Sequence, residues 1–343
     1  MNSENTIILG IESSCDDTGA AIMKNGKLLA NVIAGQQVHS RYGGVVPELA
    51  SRAHQRNIVP TVAIALEEAE VKAEDICAVA YTYGPGLMGS LLVGASFAKA
   101  LAMSLNIPSI AVDHMRGHIL SHFIHHEESL KTANSPRFPF LALTVSGGHT
   151  ELVIVHDHVN MEVIGKTIDD AVGEAFDKTA KMIGLTYPGG PMIDRLSRKG
   201  KAIFEFNKPK VKGLDMSFSG LKTSILYFLR DRKAENPKFI EDNINDICAS
   251  VQTCITEILM QKLKKAIKVH RPMDIALAGG VAANSQIRRA FQSLAENEGL
   301  GCYIPDFQYC TDNAAMIAMV GHFDFLNGVR SSLDLTPRSN LAL

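Results

Sequence analysis

Tryptophan is absent from this 343-residue chain, no two cysteines stand in a CxxC spacing, and an excess of positive charge is missing. A formal net charge of −2 gives composition no electrostatic footprint of a nucleic-acid binder. Any RNA contact must come from local clusters: Lys208, Lys210 and Lys212; Arg230, Arg232 and Lys233; Lys264, Lys265, Lys268 and Arg271; or Arg41, Arg52 and Arg56. Such clusters are more often solvated faces. The six cysteines (Cys15, Cys77, Cys248, Cys254, Cys302, Cys310) exclude a disulfide framework or a Cys-type zinc site by their spacing and fit a reducing compartment. No run of 18 apolar residues exists; the stretch 91–105 comes closest and carries Lys99. Residues 1–5 lack the basic region and long apolar run of a signal peptide. These absences together lead to the expectation of a soluble, cytoplasmic protein with no membrane partner. Neither a Walker A pattern nor a Rossmann GxGxxG with its downstream acid is found.

What is present is ample core material, 46% hydrophobic against 20% charged residues, on a length that suits two domains. The pattern is α/β. Strand-like runs at 6–11, 20–23 and 28–34 flank turn chemistry at 12–19 and the hairpin dipeptide Asn25-Gly26. A helix begins at Pro47, followed by a strand at 77–83, the turn Gly84-Pro85-Gly86, a helix at 88–104, a strand at 109–112 and a helix carrying two histidines. Residues 127–139, polar with two prolines, read as a linker. The opening theme then recurs: strand 140–145, turn Ser146-Gly147-Gly148-His149, strand 150–155 and a third strand at 161–164. A strand at 274–277 runs into Ala278-Gly279-Gly280 and a helix from about 282, and the last long helix covers about 312–326. Lobes at 1–130, joined by a C-terminal helical segment 312–343, and at 139–311 are expected.

Three turns share a design that suits phosphate: Ser13 to Gly19, Ser146-Gly147-Gly148, and Gly279 to Asn284. Each ends a strand with small residues that expose backbone N–H groups to an anion. One such turn is ordinary. Three, two of them heading a repeated strand pair, point to a nucleotide held between similar lobes. Carboxylates at Asp169, Asp170, Glu174, Asp177 and Asp194, around the tight loop Pro188-Gly189-Gly190-Pro191, suit ribose hydroxyls or simply a helix N-terminus.

His114 and His118 are one helical turn apart, with Cβ atoms about 6 Å from one another on a helix, close enough to share a metal ion. Imidazole is the commonest transition-metal ligand. A zincin protease needs Glu directly after the first His, and Met115 stands there. Spacing alone leaves a metal site and an ordinary satisfied histidine equally open.

Taken in order, the motifs Gly10-Ile11-Glu12-Ser13-Ser14-Cys15-Asp16-Asp17-Thr18, Gly44-Val45-Val46-Pro47-Glu48, Asp113-His114-Met115-Arg116-Gly117-His118, Ser146-Gly147-Gly148-His149, Gly173-Glu174-Ala175-Phe176-Asp177-Lys178, Tyr187-Pro188-Gly189-Gly190-Pro191, Ser217-Phe218-Ser219-Gly220-Leu221-Lys222, Gly279 to Asn284 and Thr311-Asp312-Asn313 resemble the TsaD family of tRNA threonylcarbamoyladenosine transferases, formerly described as glycoproteases. The resemblance covers essentially the whole chain. It implies a two-lobed fold of the actin, sugar-kinase and heat-shock ATPase superfamily. It further implies one metal, iron or zinc, on His114, His118 and Asp312, and threonylcarbamoyl-AMP or another adenine nucleotide such as ATP or ADP on Thr144, Val145, Ser146, Gly147, Gly148, Asp177, Gly190, Asp194 and Asn284, with Asn284 facing the base or ribose. Archaeal and eukaryotic relatives carry a Tyr ligand where Thr144 stands and Asn where His149 stands, which makes this chain similar to the bacterial branch. The implied partners are tRNA, TsaB-like and TsaE-like subunits and a TsaC-type synthase. Glu12, or else Asp16 or Asp17, is the expected proton acceptor, from its closeness to the first turn. The rival readings are an ATP-dependent small-molecule kinase of the same fold, a metalloprotease, and a nucleotide-binding scaffold.

Overall fold

The computed structural model describes residues 5–36, 39, 42–125, 135–341 and 343. Arg41 and most of the expected linker, residues 127–134, lie outside the described residues. The chain forms two compact units, one of residues 1–135, 157–161 and 305–343, the other of residues 136–156 and 162–304.

The first unit is built on β1 (Ile7–Glu12), β2 (Thr18–Lys24) and β3 (Lys27–Ala34), with Asn25 and Gly26 at positive φ in the turn that the dipeptide predicts. After these come α1 (Pro47–Glu68), β4 (Ala78–Gly84), α2 (Met88–Leu105), β5 (Ser109–Asp113) and α3 (His114–Leu120). The strands form one sheet in the order β3-β2-β1-β4-β5, antiparallel from β3 to β1 and parallel from β1 to β5.

The second unit holds β6 (Phe140–Val145), β7 (Thr150–Val155), most of β8 (Met161–Lys166), α4 (Val172–Met182), α5 (Gly189–Ser197), α6 (Ser219–Glu235), α7 (Phe239–His270), β9 (Asp274–Ala278), α8 (Ser285–Glu298) and β10 (Gly301–Tyr303). Its sheet runs β8-β7-β6-β9-β10, with β6 antiparallel to β7 and parallel to β9. Replacing β1–β5 by β6–β10 reproduces the first sheet's order, so the repeat read in the sequence is a repeat of topology. A short α9 (Phe307–Cys310) and the closing α10 (Ala314–Leu326) complete the chain. The closing helix ends at Leu326, and residues 327–341 contain no further helix.

Both faces of the first sheet are covered, which is why β1 reads as an unbroken apolar run. Ile7, Leu9 and Ile11 pack with Ile58 and Val62 of α1 and Ala95 and Ala98 of α2, whereas Ile8 packs with Met316 to Val320 of α10. Helix α2 meets the length and composition of a membrane span despite Lys99, but Leu91, Ala95, Ala98 and Ala102 are buried in this core. Helix α10 lies very close to β1: a Cβ on Gly10 would come within 2.6 Å of both the Ala314 carbonyl and the Ala318 nitrogen. Farther along α10, a Cβ on Gly321 would sit 2.4 Å from that of Ala80 on the neighbouring strand β4. This small-residue contact sets the start of α10, and hence Asp312, near the end of β1.

Candidate metal centre and anion-binding turns

The metal candidates converge in the first unit. Asp113 closes β5 and caps α3, its Oδ1 accepting from the Met115 and Arg116 nitrogens at 2.8 and 3.0 Å. That cap starts the helix at His114, so the i, i+4 pair points one way. Arg116 grips Asp324 of α10 through its two terminal guanidinium nitrogens, at 2.9 and 3.1 Å, and Gly117 lets Met316 approach. Helices α3 and α10 are thereby tied together, and Asp312 Oδ1 lies 3.3 Å from Nε2 of His114 and 3.3 Å from Nε2 of His118. The two rings stand edge to face, 4.7 Å apart. Ligand atoms of all three residues fall within 4.8 Å of one another.

This set fits a metal. His118 is fully buried, yet neither ring nitrogen has a hydrogen-bond partner; the 3.3 Å approach to Asp312 lacks hydrogen-bond geometry. A buried imidazole with nothing to bond is costly unless a further group completes it. Two histidines and a carboxylate form a common donor set for divalent iron or zinc.

Glu12, at the end of β1, supports the centre from behind. Its Oε2 lies 3.1 Å from Nδ1 of His114 and accepts from the Thr82 hydroxyl at 2.7 Å, while its Oε1 accepts from the Ser14 nitrogen at 2.5 Å. With 1% exposure, this carboxylate is committed on both oxygens. Burial alone would raise its pKa, but the attraction and hydrogen bond of His114 outweigh that and hold it below the ordinary value. The carboxylate expected to accept a proton thus has both oxygens engaged, one of them beside His114. Asp17 differs. Burial, then Asp16, Asp312 and Glu12, push its carboxyl up to about 7.

Burial lowers His118 most strongly, so it is neutral and ready to ligate. His114 is lowered by burial but raised more by Asp312 and Glu12, and ends well above its ordinary 6.5. Asp312 is raised by burial and lowered more by His114 and His118, and stays ionised.

The phosphate-turn candidates gather in the second unit. Thr144 and Val145 end β6 in full burial, and Thr144 pairs in register with Ala278 of β9. The turns Ser146-Gly147-Gly148 and Gly279-Gly280 therefore lie side by side at the C-terminal ends of adjacent parallel strands, where open α/β sheets bind ligands. Gly279, at φ +90, sits against the Val145 carbonyl, where a Cβ would come within 2.5 Å. Gly147, Gly148 and Gly280 face open space. The start of α4 joins this group, since the Gly173 nitrogen donates to the Ser146 carbonyl at 3.1 Å.

Asp177 and Asp194 hold the neighbouring loops. Asp177 Oδ1 accepts from the Gly189 nitrogen at 2.7 Å, which seats Gly190 at the start of α5. Asp194 Oδ1 accepts from the Ser285 hydroxyl at 2.7 Å and from Gln252 at 3.1 Å, while its Oδ2 pairs with Arg198. Asn284 caps α8, accepting from the Gln286 and Ile287 nitrogens at 3.0 and 3.1 Å, and donates to Gln252 at 2.8 Å. Because Asn284 stops its own backbone from being helical, the helix expected from 282 starts at Ser285.

Sequence reading missed Gln252 and Thr82. Gln252 is the buried amide that links Asp194, Ser197, Asn284 and Gln286, and its signal was a Gln on the buried stretch 247–252 of α7. Thr82 reaches Glu12 only because β4 pairs with β1, a neighbourhood no local pattern reveals.

The family model described as tRNA N6-adenosine threonylcarbamoyltransferase (TsaD) matches residues 27–319. A protein of that description from Christiangramia forsetii is 54% identical over 340 residues, covering 99% of each chain. Among solved structures, full-length HypF in its phosphate- and nucleotide-bound form is similar at a TM-score of 0.61 and 14% identity, over 95% of this chain and 47% of that one. The activator of 2-hydroxyisocaproyl-CoA dehydratase from Clostridium difficile is similar at 0.50 and 16%, over 95% and 99%. These two likenesses show a shared fold.

Proposed function

The chain belongs to the tRNA N6-adenosine threonylcarbamoyltransferase family and is a transferase, and on that premise we propose that it moves a threonylcarbamoyl group from threonylcarbamoyl-AMP to N6 of adenosine-37 in tRNAs that read codons beginning with A, releasing AMP. The observation that carries the site assignment is His118, buried beside Asp312 with both ring nitrogens unpartnered. His114, His118 and Asp312 would hold one divalent metal, iron first and zinc second. When bound, the metal supplies Lewis-acid polarisation and a template for substrate oxygens.

The chain's own residues do the rest. Backbone N–H groups of Ser146, Gly147 and Gly148 receive the phosphate, with Thr144, Val145 and the Gly279–Asn284 turn walling the nucleotide and Asp177, Gly190 and Asp194 fixing the loops beside it. The adenosine N6 attacks the carbamoyl carbon, the bond from that carbon to the phosphate oxygen breaks, and AMP leaves with its charge facing those N–H groups. Asp17 suits the proton lost from N6, because its carboxyl titrates at about 7, where a base works best at neutral pH. Glu12 keeps His114 in place. The target base must be presented unstacked. TsaB-like and TsaE-like subunits would assist, a TsaC-type synthase would supply the donor, and the free cysteines agree with a cytoplasmic setting.

Purified protein given threonylcarbamoyl-AMP and unmodified tRNA is expected to yield the modified nucleoside. Phosphoryl transfer from ATP to a small molecule, with no modified tRNA, would favour the kinase reading instead. Cleavage of casein by metal-loaded protein would favour the protease.

A further inference from the structure

Two of the basic clusters that lie about fifty residues apart in the sequence meet in one groove of the second unit. Gln261, Lys264, Lys265 and Lys268 follow i, i+3, i+4, i+7 spacing and share a face of α7. The segment 208–211 forms the facing bank, and the space between is about 630 Å³, lined by Lys208, Lys210, Lys262, Lys264, Lys265 and Lys268. Lys262 fixes the bank to the helix by donating to the Val211 and Gly213 carbonyls at 2.8 and 3.1 Å. Lys208 pairs with Glu257 and Lys264 with Glu298. Lys210, Lys262, Lys265 and Lys268 have no carboxylate at ion-pair distance among the described residues, although Asp215 acts on Lys262 from farther away. Burial, and after it the neighbouring Lys265, pull Lys262 below its ordinary value.

Three arginines of the other basic clusters are paired, whereas Arg56 and Lys233 have no carboxylate at ion-pair distance among the described residues. Arg230 pairs with Asp231, Arg232 with Glu235 and Arg52 with Glu48. On a chain of net charge −2, the groove gathers six lysines, four of them without a carboxylate at ion-pair distance among the described residues. Its lining holds neither an aromatic ring for base stacking nor an arginine fork for base edges. Lysine is a compact point charge with rotatable donors, suited to a row of phosphates rather than to a base.

We propose that this lysine groove binds the phosphate backbone of the tRNA substrate and positions it, at a distance in sequence from every residue assigned to the chemistry. The proposal rests on the transferase reading above. The test is the full chain in the transfer assay, with tRNA concentration and salt both varied, for wild type, Lys210→Ala/Lys268→Ala and Lys210→Arg/Lys268→Arg. In the alanine variant, KM for tRNA should rise on the order of tenfold with kcat unchanged, and the dependence of log affinity on log salt should become shallower by about 1.5, the share of two phosphates. The arginine variant should keep wild-type values. If wild type makes no modified nucleoside, the functional reading fails, and direct binding of tRNA across the same salt series still decides the groove. If wild type transfers but the alanine variant keeps its tRNA KM and salt slope, the groove proposal is overturned while the reading stands. Loss of poly-glutamate binding with tRNA affinity intact would make the groove a surface for an acidic protein and overturns it too.

Discussion

His114 Nδ1 lies 3.1 Å from Glu12 Oε2, and this contact decides which nitrogen of the imidazole is left for a metal. With Nδ1 turned to Glu12, Nε2 is directed at Asp312 Oδ1, where His118 also points its Nε2. Glu12 is itself immobilised by the Ser14 nitrogen and the Thr82 hydroxyl, so the ring inherits its orientation from the ends of β1 and β4. Carboxylates behind a ligating histidine fix its tautomer and raise its basicity.

Glu12→Ala should therefore weaken metal binding by about 10- to 100-fold without removing a ligand. Glu12→Gln, which keeps an acceptor for His114, should fall between wild type and Glu12→Ala. Competition against a chelator of known affinity measures both. If Glu12→Gln bound metal normally and still abolished transfer with preformed threonylcarbamoyl-AMP, Glu12 would be the proton acceptor after all.

Metal binding should also release a proton near neutral pH. Burial works to lower His114, but Asp312 and Glu12 overcome it and hold the ring well above 6.5, so the metal-free ring is protonated. Stability from this raised group is complete below about pH 6.5 and is lost as pH climbs through its folded value. The depressed Asp312 contributes in the opposite sense, above about pH 3.8, and that contribution is lost as pH falls through its lowered value. The metal-free cluster is thus most stabilising from mildly acidic to neutral pH, and metal must displace the His114 proton. Affinity should rise about tenfold per pH unit while the His114 ring is still protonated and level off above its folded value. Calorimetry in buffers of differing ionisation enthalpy reads the proton directly, and a pH-independent affinity with no released proton would contradict the arrangement.

Asp17 carries a different pH signature. Burial and the charges of Asp16, Asp312 and Glu12 raise it to about 7, and a base must be ionised to act. Transfer should rise with pH through about 7 and level off above. Asp17→Asn should lower kcat by about 10²- to 10⁴-fold, the usual range for a lost general base, while leaving metal content unchanged. An acid limb that persists at the same pH in Asp17→Asn would assign the titration elsewhere.

Local chemistry made much of this fold legible. Asn25-Gly26 specified its hairpin, Pro47 opened α1, and the recurring strand–turn–strand theme anticipated two sheets of one topology. His114 and His118 were legible because four residues is a helical period, and a helix is what Asp113 caps. Asp312 was not legible from spacing. It joins the centre only because α10 lies on β1 across Gly10, a contact between segments some 300 residues apart that hydrophobic periodicity cannot encode. Thr82 and Gln252 stayed hidden for the same reason, since each acts through a neighbour set by sheet order or helix packing. The meeting of Lys210 with Lys268 is likewise a product of α7 crossing beside the 208–211 segment.

Two glycines separate a packing role from a binding role. A methyl at Gly10 would strike the Ala314 carbonyl and the Ala318 nitrogen, both at 2.6 Å, and neither is a flexible side chain that can yield. Gly10→Ala should cost about 1–3 kcal/mol and, by displacing the start of α10, weaken metal binding through Asp312. A methyl at Gly147 would meet nothing within 4 Å. Gly147→Ala should leave stability within about 0.5 kcal/mol of wild type. If the Ser146-Gly147-Gly148 turn closes on a phosphate, however, that methyl stands where the ligand approaches the backbone, and KM for threonylcarbamoyl-AMP should rise at least several-fold. Melting curves and donor saturation curves for the two variants check both expectations, and an unchanged donor KM in Gly147→Ala would remove this turn from the nucleotide site.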